Sequence, residues 1–252
     1  MYTLLVSLGL ALGTYGLVAV IFDPIAAIVP AVMVFGIAAV VLLLQVKKRV
    51  DEGISGIVPL LQERRIFDAQ AHLEEVRRKW ARWMPLLNGQ VDAQLGMIDY
   101  YQLKFDQALP KLEKGKWRNW MALGCIGAIH FRKGRREQAF EALRKAIDAS
   151  PKEPMVYVLH AVLSHRAGDS DTALAVLNEG IENIPENRML QDLRKRIANK
   201  KRIKTSMFGE AWVQFFPEEL AAQARIAARK GTPLPSAGFR GPSVSKQMRR
   251  GR

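Results

Sequence analysis

Residues Tyr2 to Phe22 form an uncharged, apolar run. Asp23-Pro24 interrupts it, and Ile25 to Val46 form a second run of similar length. Each is about 20 residues long, enough to cross a ~30 Å hydrocarbon core as a helix. Asp-Pro is a turn signal, because proline lacks a donor and disfavours helix in the residue before it. The pattern predicts a two-helix membrane hairpin over residues 1–46, with Pro30 in the first turns of the second helix, where a missing N–H matters least. Gly9, Gly13 and Gly16, with Ala11 and Ala19, are expected to let the two helices approach closely. Three alternatives compete: a cleaved signal peptide, a hairpin buried in a soluble core, and a re-entrant or interfacial hairpin. A signal peptide usually begins with basic residues, and none precedes Lys47. A soluble hairpin of two such runs would need a large core around it.

Lys47-Lys48-Arg49 follows the second run, and the positive-inside rule assigns that cluster to the cytoplasm. Two spans return the chain to its starting side. The expected localisation is therefore the inner or plasma membrane, two-pass, with everything after residue 46 cytoplasmic. Residues 47–53 read as a basic juxtamembrane linker.

From Ile54 to about Lys204 small and large apolar residues recur at fixed spacing. Gly134 and Gly168 are 34 residues apart, as are Ala139 and Ala173, Leu143 and Leu177, Ile147 and Ile181, and Pro151 and Pro185. A period of this size marks stacked helical pairs. One unit runs from Trp120 to about Glu153, with Ile126-Gly127 as a large-small step, and the next from Pro154 to about Asn187. On these landmarks the region resembles tetratricopeptide (TPR) repeats, departing at Gly180, where alanine is usual. A looser unit spans Gly89 to Asn119, with Leu95-Gly96 at the large-small step. Ile54 to Trp80 reads as a divergent helical pair, and Arg188 to about Lys204 as a terminal capping helix. The expected fold is all-α: two transmembrane helices, a TPR-like right-handed α-solenoid over 54–204, and a segment 205–252 holding an aromatic stretch, a short helix from Pro217 to about Lys230 and a basic, partly disordered tail.

The resemblance implies that the first helix of each unit lines a concave, partner-binding groove. Its candidates are Gln94, Met97, Tyr100 and Tyr101; then Met121, Cys125, Ala128, Phe131 and Arg132; then Met155, Leu159, Val162, His165 and Arg166. The spaced Lys and Asn that some TPR proteins use to clamp a C-terminal carboxylate are absent from the matching positions. A groove rich in methionine and aromatic residues, with Arg132 and Arg166 repeating at its edge, suits an amphipathic or apolar segment carrying acidic groups. Two occupants fit: a protein partner, including one inserted in the same membrane, or the chain's own Met207–Phe216 stretch. Packing alone is the competing role for these residues.

Charge sharpens this division. The chain holds 38 Lys/Arg and 24 Asp/Glu, a formal charge of +14 with a mean hydropathy of −0.04. The first 46 residues contain one charge, Asp23, whereas Arg194 to Arg252 hold 15 basic and 3 acidic residues. The tail's +12 is thus most of the total. Lys47, Lys48, Arg49, Arg240, Lys246, Arg249, Arg250 and Arg252 are candidates for an anionic surface: lipid head groups first, then nucleic acid, then an acidic protein. A purely solubilising tail is the fourth possibility. Cys125 is the single cysteine, so no disulfide framework exists.

The sequence has no Walker loop, G-x-S-x-G, H-E-x-x-H or C-x-x-C. No catalytic residue, metal, cofactor or small-molecule substrate is expected. His130 and His160 read as core histidines bonded to backbone, and Asp169 and Asp171 as helix-capping residues. The expected function is a membrane-anchored scaffold or adaptor that binds a protein segment. The alternative is a membrane-tethered adaptor for nucleic acid or ribosomes acting through the basic tail.

Overall fold

The structure is a computed structural model that describes residues 2–21, 24–84 and 86–219. It is all-helical, with no strand among the described residues. In chain order the helices are α1 (Tyr2–Ile21), α2 (Ile28–Ser55), α3 (Ile57–Gln62), α4 (Ile66–Trp80), α5 (Leu87–Tyr101), α6 (Phe105–Gly115), α7 (Trp120–Arg132), α8 (Arg136–Ala149), α9 (Pro154–Arg166), α10 (Ser170–Asn183) and α11 (Arg188–Ala198). A 3₁₀ turn (Thr205–Phe208) and a single-turn α12 (Glu210–Val213) follow. The chain divides into two compact units between Val91 and Asp92, inside α5.

In the first unit α1 and α2 pack as a hairpin. Both are long and apolar enough to cross a membrane, with mean hydropathies of 2.2 and 2.6 in their most apolar windows. Only 11% and 0% of those windows are buried, unlike the core helix of a soluble protein. The buried positions of α1 are Thr3, Ser7 and Ala11, spaced four apart on one face, and α2 buries Ala31, Val46 and Val50. The glycines are not among them. A Cβ added at Gly9, Gly13 or Gly16 would meet nothing within 4 Å. Pro30 stands in the first turn of α2, as expected, while Asp23 lies outside the described residues. Residues 47–53 are no linker but the continuation of α2. Against that extension packs α4, so closely that a Cβ on Gly53 would sit 2.9 Å from Val76 Cγ2. The His72 ring nitrogen Nε2 is 2.9 Å from the Gly53 carbonyl oxygen.

The second unit is built from helical pairs. Gly127 of α7 lies against Leu143 of α8, and Phe131 against Phe140, so the two helices are antiparallel. Gly96 meets Leu112 in the same way across α5 and α6. The large-small steps are thus the places where one helix backbone nears the next. Gly180 has an equally local cause: an added Cβ would lie 2.7 Å from Cγ of Tyr157, whose hydroxyl donates to the Pro151 carbonyl at 3.0 Å. Each pair is joined by one corner geometry. Gly134 (φ 73°) donates to the Phe131 carbonyl and Arg135 to that of His130, both at 3.0 Å. Gly168 (φ 92°) and Asp169 repeat those bonds to His165 and Ser164. Leu103 (φ 63°) with Lys104 does the same on Tyr100 and Asp99.

Of the two expected caps, Asp169 caps α10, whereas Asp171 stands inside its first turn. Asn119, Asp169 and Asn187 accept from the backbone N–H three residues on, satisfying a donor that the first turn leaves free. The last helix is shorter than expected. It ends at Ala198 because Lys200 takes a left-handed conformation (φ 51°), from which the chain leaves along the exposed Lys201-Arg202. His130 and His160 are buried but not bonded to backbone through Nδ1, which has no partner in either. His160 instead stacks on Phe140 at 5.5 Å.

Candidate functional site

The first helices of successive pairs, α5, α7 and α9, are buried along most of their length. On α7 every residue from Met121 to His130 is buried, and on α9 every residue from Met155 to Ser164. On α7 the flank that packs on its own pair carries Gly127 and also the candidate Phe131, which lies against Phe140. Met97, Tyr100, Met121, Met155, Leu159 and Val162 are all at most 8% exposed. Gln94, Tyr101, Phe131 and His165 are half-buried, and Arg166 is exposed. Cys125 and Ala128 are fully buried.

What covers this face is the chain's own segment 205–219. Phe208, Trp212, Phe215 and Phe216 all join the core, none more than 5% exposed. The seat of Phe215 is Gly124. A Cβ there would lie 2.6 Å from Phe215 Cε1 and 3.4 Å from Leu159 Cδ2, so only a hydrogen at this position leaves room for the ring. Trp120 flanks the same ring at 6.3 Å between centroids. Trp212 and Phe216 stack face to face at 4.6 Å.

Polar contacts then fix the segment's register. The Tyr100 hydroxyl donates to the Phe215 carbonyl at 2.5 Å, and Arg132 Nη2 donates to the same oxygen at 2.6 Å. Arg132 Nη1 donates to the Tyr100 hydroxyl at 2.8 Å and its Nε to Glu218 at 2.7 Å. The guanidinium also lies 4.5 Å from the Phe216 ring and 4.7 Å from that of Phe105. One residue pair further, Arg166 donates to Glu219 at 3.0 Å and sits 5.1 Å from the Trp212 ring. The second oxygen of Glu219 accepts from Trp212 Nε1 at 2.8 Å and from the Thr205 hydroxyl at 3.0 Å. Two arginines 34 residues apart therefore grip two consecutive carboxylates, and each faces an aromatic ring of the same segment.

The arginine–carboxylate pairs at the edge are partly exposed, whereas the groups beneath the segment are buried. Burial raises the Tyr100 phenol well above its ordinary value, so it stays a donor. Burial pushes the Cys125 thiol up to about 12, which removes it as a nucleophile. His165 points elsewhere, with Nδ1 3.0 Å from the Ser170 hydroxyl.

The sequence pointed to an apolar segment with acidic groups, and segment 205–219 has that chemistry. Two elements of the site escaped sequence reasoning. They are Gly124, where a hydrogen makes room for Phe215, and the consecutive carboxylates Glu218 and Glu219. The 34-residue repeat of the arginines was the available signal. Of the anionic-surface candidates, Lys47, Lys48 and Arg49 lie on α2, where Lys48 pairs with Glu52 at 4.0 Å. Arg240, Lys246, Arg249, Arg250 and Arg252 lie outside the described residues, as does the expected helix beyond Glu219. No group of three or more His, Cys, Asp or Glu side chains among the described residues could hold a metal ion. A scan of family models and a search of curated proteins return no match to this chain.

Proposed function

We propose that this protein is a membrane-anchored adaptor of tetratricopeptide type, whose α5–α7–α9 face takes an aromatic segment followed by carboxylates, in exchange with the chain's own residues 205–219. The hairpin α1–α2 supplies the anchor. Its two long apolar helices are scarcely buried and run straight into Lys47-Lys48-Arg49, which orients the rest of the chain to the cytoplasm by the positive-inside rule. The 34-residue landmarks and the repeated corners at Gly134 and Gly168 support a stacked repeat array.

One observation carries the binding role. The face already holds a short peptide through an aromatic seat at Gly124 and an arginine ladder of Arg132 and Arg166. A partner segment with the same order of groups meets the same seat, ring faces and guanidinium forks. Anchoring adds mechanism: a groove held at the bilayer meets membrane-bound partners at a raised effective concentration.

The test opens the face without emptying the fold. Full-length Phe215→Ala/Glu219→Gln should bind a labelled peptide spanning residues 205–219, whereas the wild type, its face occupied, should not. Adding Arg132→Glu and Arg166→Glu should abolish that binding. In membranes the opened variant should cross-link a partner that the free peptide displaces. An opened face that binds neither peptide nor displaceable partner sinks the proposal.

A further inference from the structure

The end of α4 returns to the mouth of the apolar hairpin. The Tyr2 N–H donates to the Arg82 carbonyl at 3.1 Å, and the Thr3 hydroxyl donates to the Trp83 carbonyl at 3.3 Å. The Tyr2 and Trp83 rings meet edge to face at 5.4 Å. On the other side Arg49 of α2 lies over the Trp80 ring at 5.9 Å. So residues 77–83, Arg-Arg-Lys-Trp-Ala-Arg-Trp, stand level with Lys47-Lys48-Arg49, where the apolar part of α2 ends. Together the two stretches hold seven Lys/Arg, two Trp and no Asp/Glu. Basic residues and tryptophan at the ends of apolar helices are the composition of a membrane–water interface.

Between α2 and α4 at this level lies a cleft of about 390 Å³. Arg49, Lys79 and Trp80 line it, with the two cations 5.9 and 5.7 Å from the Trp80 ring centroid. Neither forms an ion pair among the described residues, whereas neighbouring Lys48 and Arg77 do, with Glu52 and Glu74. Two cations that form no such ion pair and lie near one aromatic ring have the donors a phosphate needs. Glu52 and Glu75 line the cleft about one helical turn farther from the apolar ends, positioned to accept from head-group hydroxyls.

The geometry points to a phospholipid site: an anionic lipid places its phosphate between Arg49 and Lys79 against Trp80, with its acyl chains along the exposed apolar flank of α2. This deepens the anchored-adaptor reading and rests on its membrane-spanning hairpin. The seat fixes α4, and with it the start of the cytoplasmic body, at the bilayer surface.

The full chain in detergent micelles, offered phosphatidylglycerol and phosphatidylcholine in equal amounts, tests this by native mass spectrometry. Wild type should retain one phosphatidylglycerol with about tenfold preference, and Arg49→Gln/Lys79→Gln should lose most of that preference. The charge-matched Lys114→Gln/Lys152→Gln should keep it. Millimolar inorganic phosphate should not displace the lipid; displacement would mark a free-phosphate site and overturn the lipid assignment. Equal retention of the two lipids by wild type overturns it as well, and this comparison stands even where the double variant loses helicity by circular dichroism. Carbonate extraction separates the two readings. Release of wild type from membranes removes the anchor, whereas a chain that stays and shows no lipid preference removes the cleft alone.

Discussion

Leu103 occupies the corner between α5 and α6 with a left-handed backbone, and with Lys104 it makes the two bonds that Gly134 with Arg135 and Gly168 with Asp169 make at the later corners. A left-handed side-chain residue costs about 1–2 kcal/mol, and glycine returns about 0.5–1 kcal/mol of that in unfolded-state entropy. Leu103 is 48% exposed, so its replacement forfeits little packing. Leu103→Gly should therefore stabilise the fold by about 0.5–1 kcal/mol in chemical denaturation, and a loss of stability would show that the side chain contributes more than its conformation costs. The sequence displayed two of these corners because glycine marks them; it hid the third, where a leucine bears the same geometry. His160 is legible in the same partial way. Its inward position follows from helical spacing, but its orphan Nδ1 does not. Burial, aided by the Arg144 guanidinium, lowers its pKa from 6.5 to about 4. Between those values the unfolded chain binds the proton that the folded chain refuses, so stability is full above pH 6.5 and falls as pH drops toward 4. The loss from this residue at pH 5 is about 2 kcal/mol. His160→Leu should remove that part of the difference between denaturation midpoints at pH 7 and pH 5; an unchanged difference would assign the acid sensitivity to other groups.

At the scale of elements, segment 205–219 decides how the candidate face is to be understood. Helical spacing and the 34-residue period placed Met121, Leu159, Arg132 and Arg166 on one side of their helices. Nothing periodic could say what lies on that side, because the covering segment has no partner motif nearby in sequence. Its link to the face spans 115 residues between Phe215 and Tyr100. Complementary composition was the one clue: an arginine-edged apolar face and an aromatic stretch ending in two glutamates. Trp212 is 1% exposed and among the largest fully buried side chains. Trp212→Ala should cost about 3–5 kcal/mol and make the exposed link at Lys200-Lys201-Arg202 newly sensitive to trypsin. A cost below about 1 kcal/mol would mean that the segment leaves the face readily in solution. The same spacing argument failed for α1, where glycines were expected at the helix contact. Small size permits close approach but does not select a face: the buried positions of α1 are Thr3, Ser7 and Ala11, of which Ala11 alone was among those expected.

For the whole molecule, the division at Val91/Asp92 makes a further demand. The core cluster of the second unit runs from Ala93 to Phe216, within that unit's own residues. The apolar helices, in contrast, expose Leu, Ile and Val along their length, a surface that water penalises and lipid does not. Anchor and body should therefore be separable. Deleting residues 1–46 should release the chain to the soluble fraction in high salt while leaving the helical signal of the remainder and its melting transition in place. It keeps Val50 and Gly53 of α2, on which α4 rests, but loses Tyr2 and Thr3, so Trp83 should become accessible to aqueous quenchers. Sedimentation at low and high salt separates the two forces that could hold the chain at a membrane. Retention at low salt alone identifies the basic residues, whose attraction is screened by ions. Retention in high salt places an apolar anchor outside the first 46 residues and removes the hairpin from its proposed role.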